Sequence, residues 1–289
     1  GYGDSTRGLV PVALATLACG TAALVRLVPP SEAGLRRTAI VWAAVVALAF
    51  ITLAIPLQLR NEWVTIGWAL QGAVALVLWR RIDHAGLKYY AASLLTAVTV
   101  RLTLNPELLA YHPASGFPVL NWLAYTYLVP AGCLLVGAWA LGALEVQRYR
   151  ELEASLFSSR YPAISSLLGV FAIVVGFAWI NLTIYDAFAA GRELELLVDR
   201  LPARDLTQSL AWALYALILL VAGVYRTSAG LRGLSLGLML LTCGKVFLYD
   251  LGALEELYRV ASLVGLALSL IGISLLYQRF VFRSTPEAP

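Results

Sequence analysis

Nine apolar runs of about 20 residues follow one another along the chain, and they restrict its fold more than any other feature. A helix needs about 20 mostly apolar residues to cross the hydrocarbon core of a bilayer. The runs lie at 8–28, 37–57, 62–80, 86–105, 119–143, 162–185, 207–225, 230–250 and 257–280. None alternates polar and apolar residues as a strand would, and an open sheet edge cannot face lipid. The sequence therefore predicts an all-α, polytopic transmembrane helix bundle of about nine spans.

The charge content supports a chain surrounded by lipid. Only 13% of the 289 residues are charged, and the mean hydropathy is +0.79, whereas soluble domains contain about 25% charged residues. We therefore expect membrane lipids as the main partners. The net charge of +4 is small and the basic residues are dispersed over short loops, so the chain is not expected to bind nucleic acid.

The distribution of basic residues predicts the orientation. Thirteen of the 21 lysines and arginines fall on one side of the nine spans and six on the other, with Arg101 and Lys245 inside spans. Cytoplasmic loops are richer in Lys and Arg, and the strong preference for arginine over lysine suits a bacterial genome. We expect an inner-membrane protein with Gly1 outside and the C-terminus in the cytoplasm.

Short sequence matches recur at one spacing and predict an internal repeat. The tripeptide WAL at 68–70 recurs 144 positions later at 212–214, and AGLK at 85–88 matches AGLR at 229–232. The same shift places Arg101 opposite Lys245. Four helices per copy is an even number, so the copies are parallel. The predicted parts of this single transmembrane domain are a first span and loop (1–35), repeat one (36–145), a cytoplasmic connector (146–161), repeat two (162–283) and a tail (284–289).

Arg101 and Lys245 are candidate functional residues because ionisable side chains inside a membrane are costly and commonly functional. Lys245 lies about 23 Å from the cytoplasmic end of its span at the helical rise. One interpretation is that each cation extends to the outer headgroups and anchors its helix. The other is that both cations line a polar pathway. Asp250 is expected to pair with Lys245.

Other polar residues are predicted to join helices. Gln71 forms a stripe with Thr65 and Trp68 on the third span, and Asp186 lies near the outer end of the sixth. Interhelical hydrogen bonds account for most such residues in membrane bundles. Residues 191–205 read as an amphipathic interfacial helix. The tryptophans Trp63 and Trp79 flank the third span, as in an aromatic belt.

Catalytic chemistry has little support in the sequence. It contains no HExxH motif and no phosphate-binding glycine loop, and its three cysteines have no metal-type spacing. We therefore predict no catalytic residue, no cofactor and no metal. The favoured function is a non-enzymatic membrane subunit or scaffold, associated with other membrane subunits or with further helices preceding Gly1.

Two alternatives remain open. One is a transporter or channel for a small solute or lipid, and the other is a membrane-embedded glycosyl- or acyltransferase using Glu62, Glu107 or His112. Convergence of Arg101 and Lys245 on one water-accessible cavity would favour transport. We expect them instead to scatter, with Lys245 reaching the outer interface.

Three stretches resemble a known family: WALQGAVALVLWRR, the turn AGLR, and KVFLYDLGALEELYRVASLVGLALSLIGISLLYQRF. They are similar to the C-terminal part of a bacterial family of predicted multi-spanning membrane proteins, domain of unknown function two-three-three-nine. The resemblance covers about residues 36–282 and implies that Lys245, Tyr249 and Asp250 belong to the family's terminal motif. It also implies a glutamate where this chain has Gln71. The resemblance implies an architecture and no particular activity.

Overall fold

The computed structural model describes residues 9–25, 33–59, 62–105, 121–148, 162–189, 201–250 and 264–275. Every regular element in these ranges is a helix, as the sequence predicts. In chain order they are α1 (Leu9–Val25), α2 (Ala33–Gln58), α3 (Glu62–Ile82), α4 (Ala85–Leu104), α5 (Trp122–Gln147), α6 (Ala163–Phe188), α7 (Pro202–Tyr225), α8 (Ala229–Lys245) and α9 (Val264–Leu275). A π-helical turn, Val246–Asp250, continues α8. The chain forms two compact units, Gly1–Glu195 with α1–α6 and Leu196–Pro289 with α7–α9.

Five of these helices are long and apolar enough to cross a membrane. They comprise Glu62–Arg81, Trp122–Gly142, Ala163–Phe188, Pro202–Tyr225 and Ala229–Tyr249. Shorter apolar helices occupy Val10–Thr21, Trp42–Leu57 and Val264–Leu275. Helix α4, which contains two basic residues, coincides with the fourth predicted span. A helix therefore lies at each of the nine predicted positions, while the number of spans stays a prediction.

The core of the first unit lies among α3, α4, α5 and α6. Leu76, Leu95, Leu134 and Leu168 come one from each of these helices, and all four are fully buried. Leu76, Leu95 and Leu168 meet around Gly137 of α5, where an added Cβ would lie 2.8 Å from a Leu76 methyl and 3.2 Å from one of Leu168. The missing side chain therefore lets α5 approach two helices at once, as small residues do in membrane bundles.

Helix α5 departs from regular geometry near its C-terminal end. Gly142 has φ 41° and ψ −135°, which divides the helix into two segments. Glycine adopts positive φ without a Cβ clash. A kink is expected at Pro130, and Pro130 does lie inside the helix, but the non-helical residue is Gly142.

The second unit is built on the antiparallel pair α7 and α8. Pro202 begins α7, where its missing N–H costs no hydrogen bond, and the Ser228 hydroxyl accepts a hydrogen bond from Leu231 N–H to cap α8. The outer face of α7 is apolar: Leu210 and Ile218 are each 63% exposed. Such a face suits hydrocarbon rather than water.

The aromatic belt predicted for α3 is only half present. Trp63 is exposed at the N-terminal end. Trp79 is almost fully buried, with the Arg148 guanidinium 5.0 Å from its ring centroid. The sequence spacing placed both residues at helix ends but could not show that α5 would cover one of them.

Candidate functional site

Arg101 lies in the last turn of α4 and contacts α3. Its Nε–H donates to Thr65 Oγ1 at 3.0 Å, and Thr65 is completely buried. A serine or threonine hydroxyl offers two acceptor lone pairs, so it can solvate a guanidinium within the protein. The arginine therefore bonds to a neighbouring helix, and its anchoring to headgroups and its place in a polar pathway both stay predictions.

Lys245, at the end of α8, makes the corresponding kind of contact in the second unit. Its ammonium donates to Ser209 Oγ at 2.7 Å and to the Asp205 carbonyl at 3.0 Å, both on α7. The rings of Trp212 and Tyr249 lie 5.9 and 5.7 Å from Nζ, within the range of cation–π attraction. Lysine, two oxygen acceptors and two aromatic rings thus form one site.

Asp250 follows this site directly in the chain. Its backbone belongs to the π-helical turn, but its side chain lies outside the described residues, so its pairing with Lys245 stays a prediction. Single π turns within helices are rare and often occur at functional sites.

The first turn of α7 contains a buried pair of opposite charges. Arg204 and Asp205 are both buried, and Arg204 Nη2 lies 3.3 Å from Asp205 Oδ1. The sequence assigned these residues to an interfacial helix at 191–205. That prediction is wrong for residues 202–205, which belong to α7; residues 191–200 lie outside the described part of the chain.

Gln71 joins α3 to α2. Its Nε2 donates to the Leu48 carbonyl at 2.8 Å and to Thr52 Oγ1 at 3.1 Å. Trp68, one turn before it, donates to the Thr52 carbonyl at 3.3 Å, and the Tyr90 hydroxyl of α4 also contacts Thr52. Gln71 Oε1 is buried and has no hydrogen-bond partner among the described residues. The predicted stripe therefore divides, since Thr65 contacts α4 and the other two residues contact α2.

Asp186 joins the end of α6 to the beginning of α5. Asn121 Nδ2 donates to Asp186 Oδ2 at 2.6 Å, and Asn121 Oδ1 accepts from Ala124 N–H as the N-cap of α5. Both side chains are buried. The carboxylate thus orients the residue that caps the beginning of α5.

Two further carboxylates are buried: Glu145, which the sequence did not single out, and Glu62, a candidate residue of the transferase alternative. Glu145 of α5 accepts hydrogen bonds from Ile164 N–H at 2.9 Å and Ser165 N–H at 2.8 Å, in the first turn of α6. Glu62 of α3 accepts from the Tyr125 hydroxyl at 3.1 Å. One sequence feature could have pointed to Glu145. Pro162, which precedes α6, has no side-chain oxygen to cap that helix, so another residue must supply the cap.

The candidate polar residues of the first unit make hydrogen bonds between helices. Gln71, Arg101 and Asp186, all in the first unit, make their described bonds to α2, α3 and α5 respectively. Among the residues that the structure describes, no three histidine, cysteine, aspartate or glutamate side chains are grouped to hold a metal ion. The transferase candidates Glu107 and His112 lie outside those residues.

A family model described as "Predicted membrane protein (DUF2339)" matches residues 104–280. The match begins at the end of α4 and includes Asp186, Lys245 and Asp250, while the run around Gln71 precedes it. No curated protein and no solved structure matches the chain.

Proposed function

The chain belongs to the DUF2339 family of predicted membrane proteins, and on that basis we propose that it is a non-enzymatic subunit or scaffold of the bacterial inner membrane. The supporting observation is the use made of its polar side chains. Arg101, Lys245, Gln71, Asp186 and Glu145 each hydrogen-bond a neighbouring helix. Polar side chains used in this way fix the positions of neighbouring helices.

The proposed architecture has nine spans, with two tandem four-helix units at 36–145 and 162–283. The pairs α3–α4 and α7–α8 support it, because α4 begins at Ala85 and α8 begins 144 positions later at Ala229. The two proposed copies differ from the two compact units, because α6 lies in the first compact unit and in the second proposed copy.

The proposed orientation places Gly1 outside and the C-terminus in the cytoplasm. One basic cluster supports it. Arg148 donates to the carbonyls of Trp79 and Arg80 at the end of α3, and its Nη1 lies 3.6 Å from Asp83. Cations at a helix C-terminus are stabilised by the helix dipole, and arginines at this end suit the cytoplasmic face.

Other membrane proteins are the proposed partners, together with lipids. Exposed side chains such as Leu217, Val221 and Leu241 form apolar surface along α7 and α8. In a membrane, such helix faces contact either lipid or the helices of another subunit.

Purification from native membranes tests this proposal. The full chain is extracted in a mild detergent after brief chemical cross-linking, and co-purifying proteins are identified and quantified by mass spectrometry. A scaffold should yield a membrane protein at constant stoichiometry. An unrelated nine-span protein expressed at the same level serves as the control, and a partner set identical to that control would contradict the proposal.

A transporter is the second candidate, because Gln71 has a buried oxygen without a described partner. Proteoliposomes containing the purified chain distinguish the two functions. Proton flux reported by a pH-sensitive dye and scrambling of a fluorescent phosphatidylglycerol should equal those of empty vesicles. A faster rate that disappears with Gln71→Leu, in protein that remains folded, would establish transport instead.

A further inference from the structure

The turns of the helix pairs α3–α4 and α7–α8 share their backbone geometry at two equivalent positions. Asp83 and Thr227, 144 positions apart, have φ of 51° and 50°, and they are the described non-glycine residues with positive φ. The next residues, His84 and Ser228, are both extended. Threonine rarely adopts positive φ, so its use at the matching position shows that the turn geometry, rather than a residue preference, is shared.

The opposite ends of these helix pairs are joined by the same kind of bond. The shift of 144 that relates Arg101 to Lys245 also relates Thr65 to Ser209. The Arg101–Thr65 bond and the Lys245–Ser209 bond therefore connect equivalent positions, each 36 residues apart in the chain. Both hydroxyl residues are buried. The residue types differ in each pair, yet a cation and a hydroxyl are present in both.

We infer that Thr65–Arg101 and Ser209–Lys245 are two copies of one interhelical cation–hydroxyl pair, which fixes the open end of each two-helix hairpin. Thr65 is 17 residues from the end of α3, or about 26 Å along the helix. The turn holds one end of the hairpin and the cation–hydroxyl pair holds the other. This role is independent of the proposed scaffold function, since a transporter could use the same device.

The inference assigns each cation a partner inside the protein. A lysine or arginine inside a bilayer is costly, and a hydroxyl acceptor offsets part of this cost. The inference predicts that any basic residue paired with any hydroxyl residue is sufficient to fix the open end of the hairpin. Headgroup anchoring makes a different prediction, because it needs anionic lipid and no hydroxyl.

Unfolding of the full-length chain by titrated SDS tests the inference. The conservative exchanges Thr65→Ser and Arg101→Lys, which convert the first pair into the second, should leave the unfolding midpoint unchanged. Thr65→Val and Arg101→Met should each lower it, and the double variant should shift it no further than the larger single shift. Ser209→Thr, Lys245→Arg, Ser209→Ala and Lys245→Met form the matched set in the second hairpin.

The same titration in neutral detergent and in bicelles containing phosphatidylglycerol separates the two roles. The losses should be equal in both media. Additive shifts in the double variant, or a loss confined to the anionic bicelles, would overturn the inference. Should the methionine variants fail to fold, the difference between Thr65→Ser and Thr65→Val still decides the matter, because the arginine is then unchanged.

Discussion

Replacing Glu145 by glutamine should destabilise the first unit more than its single changed atom suggests. The carboxylate is fully buried, and its two oxygens accept hydrogen bonds from Ile164 N–H and Ser165 N–H. These backbone groups lie in the first turn of α6, where helical N–H groups have no intrahelical acceptor. The residue before the helix, Pro162, makes no side-chain cap, so Glu145 supplies the cap from α5.

The magnitude follows from the two bonds. A hydrogen bond to a charged group contributes about 1.5–3 kcal/mol, and a neutral one about 1 kcal/mol. Glutamine keeps one acceptor oxygen and turns an amide NH₂ group toward the other backbone N–H. This backbone N–H is then buried without an acceptor, which costs about 1–3 kcal/mol. The expected loss in the free energy of unfolding is about 2–4 kcal/mol.

SDS titration followed by tryptophan fluorescence measures this loss. Ser165→Ala is the matched control, because it removes the neutral bond from Ser165 Oγ to the Ala138 carbonyl and keeps the backbone bond to Glu145. The control should lose about 1 kcal/mol. Equal midpoints for Glu145→Gln and Ser165→Ala would refute the assignment of Glu145 as the cap of α6.

Three further pairs of variants test the packing, the turns and the polar network. Gly137→Ala should lower the free energy of unfolding by about 1–3 kcal/mol through overpacking. Gly132→Ala, whose added Cβ meets nothing within 4 Å, should be neutral or stabilising. Similar melting temperatures for the two variants would contradict the close approach of α5. Thr227→Gly should raise the free energy of unfolding by about 0.5–1 kcal/mol, because glycine adopts positive φ without strain. Asp83→Gly should gain less, since aspartate tolerates this conformation. A larger gain for Asp83→Gly would be inconsistent with strain at Thr227. Gln71→Glu should lower the thermal midpoint more than Gln71→Met. Both variants lose the two donor bonds of Nε2, but only glutamate also buries a charge, and it does so beside acceptor oxygens.

The sequence was sufficient to place the helices but did not identify which atoms join them. Apolar runs predicted a helix at every position where the structure describes one, because lipid leaves the backbone few other means of satisfying its hydrogen bonds. The repeat placed Arg101 opposite Lys245, yet nothing in the sequence marked Thr65 and Ser209 as acceptors. Many hydroxyl residues occur in these helices, and only packing determines which one faces a cation.

Glu145 shows a second reason why the site was incompletely predicted. It stands at the start of a charged run, which favours a solvated connection, and its partners lie 19 and 20 residues further along the chain. A carboxylate that caps a different helix leaves no local sequence pattern. Asp186 was easier to identify, because it interrupts an otherwise apolar helix.

The turns between the paired helices are very short. Two residues separate α3 from α4, and three separate α7 from α8. In the proposed architecture both helices of each pair cross the membrane, and a turn of two or three residues is too short for one helix to insert while the other stays outside. Each pair should therefore leave the translocon as a unit, so any change in loop charge that inverted one helix would have to invert its neighbour as well.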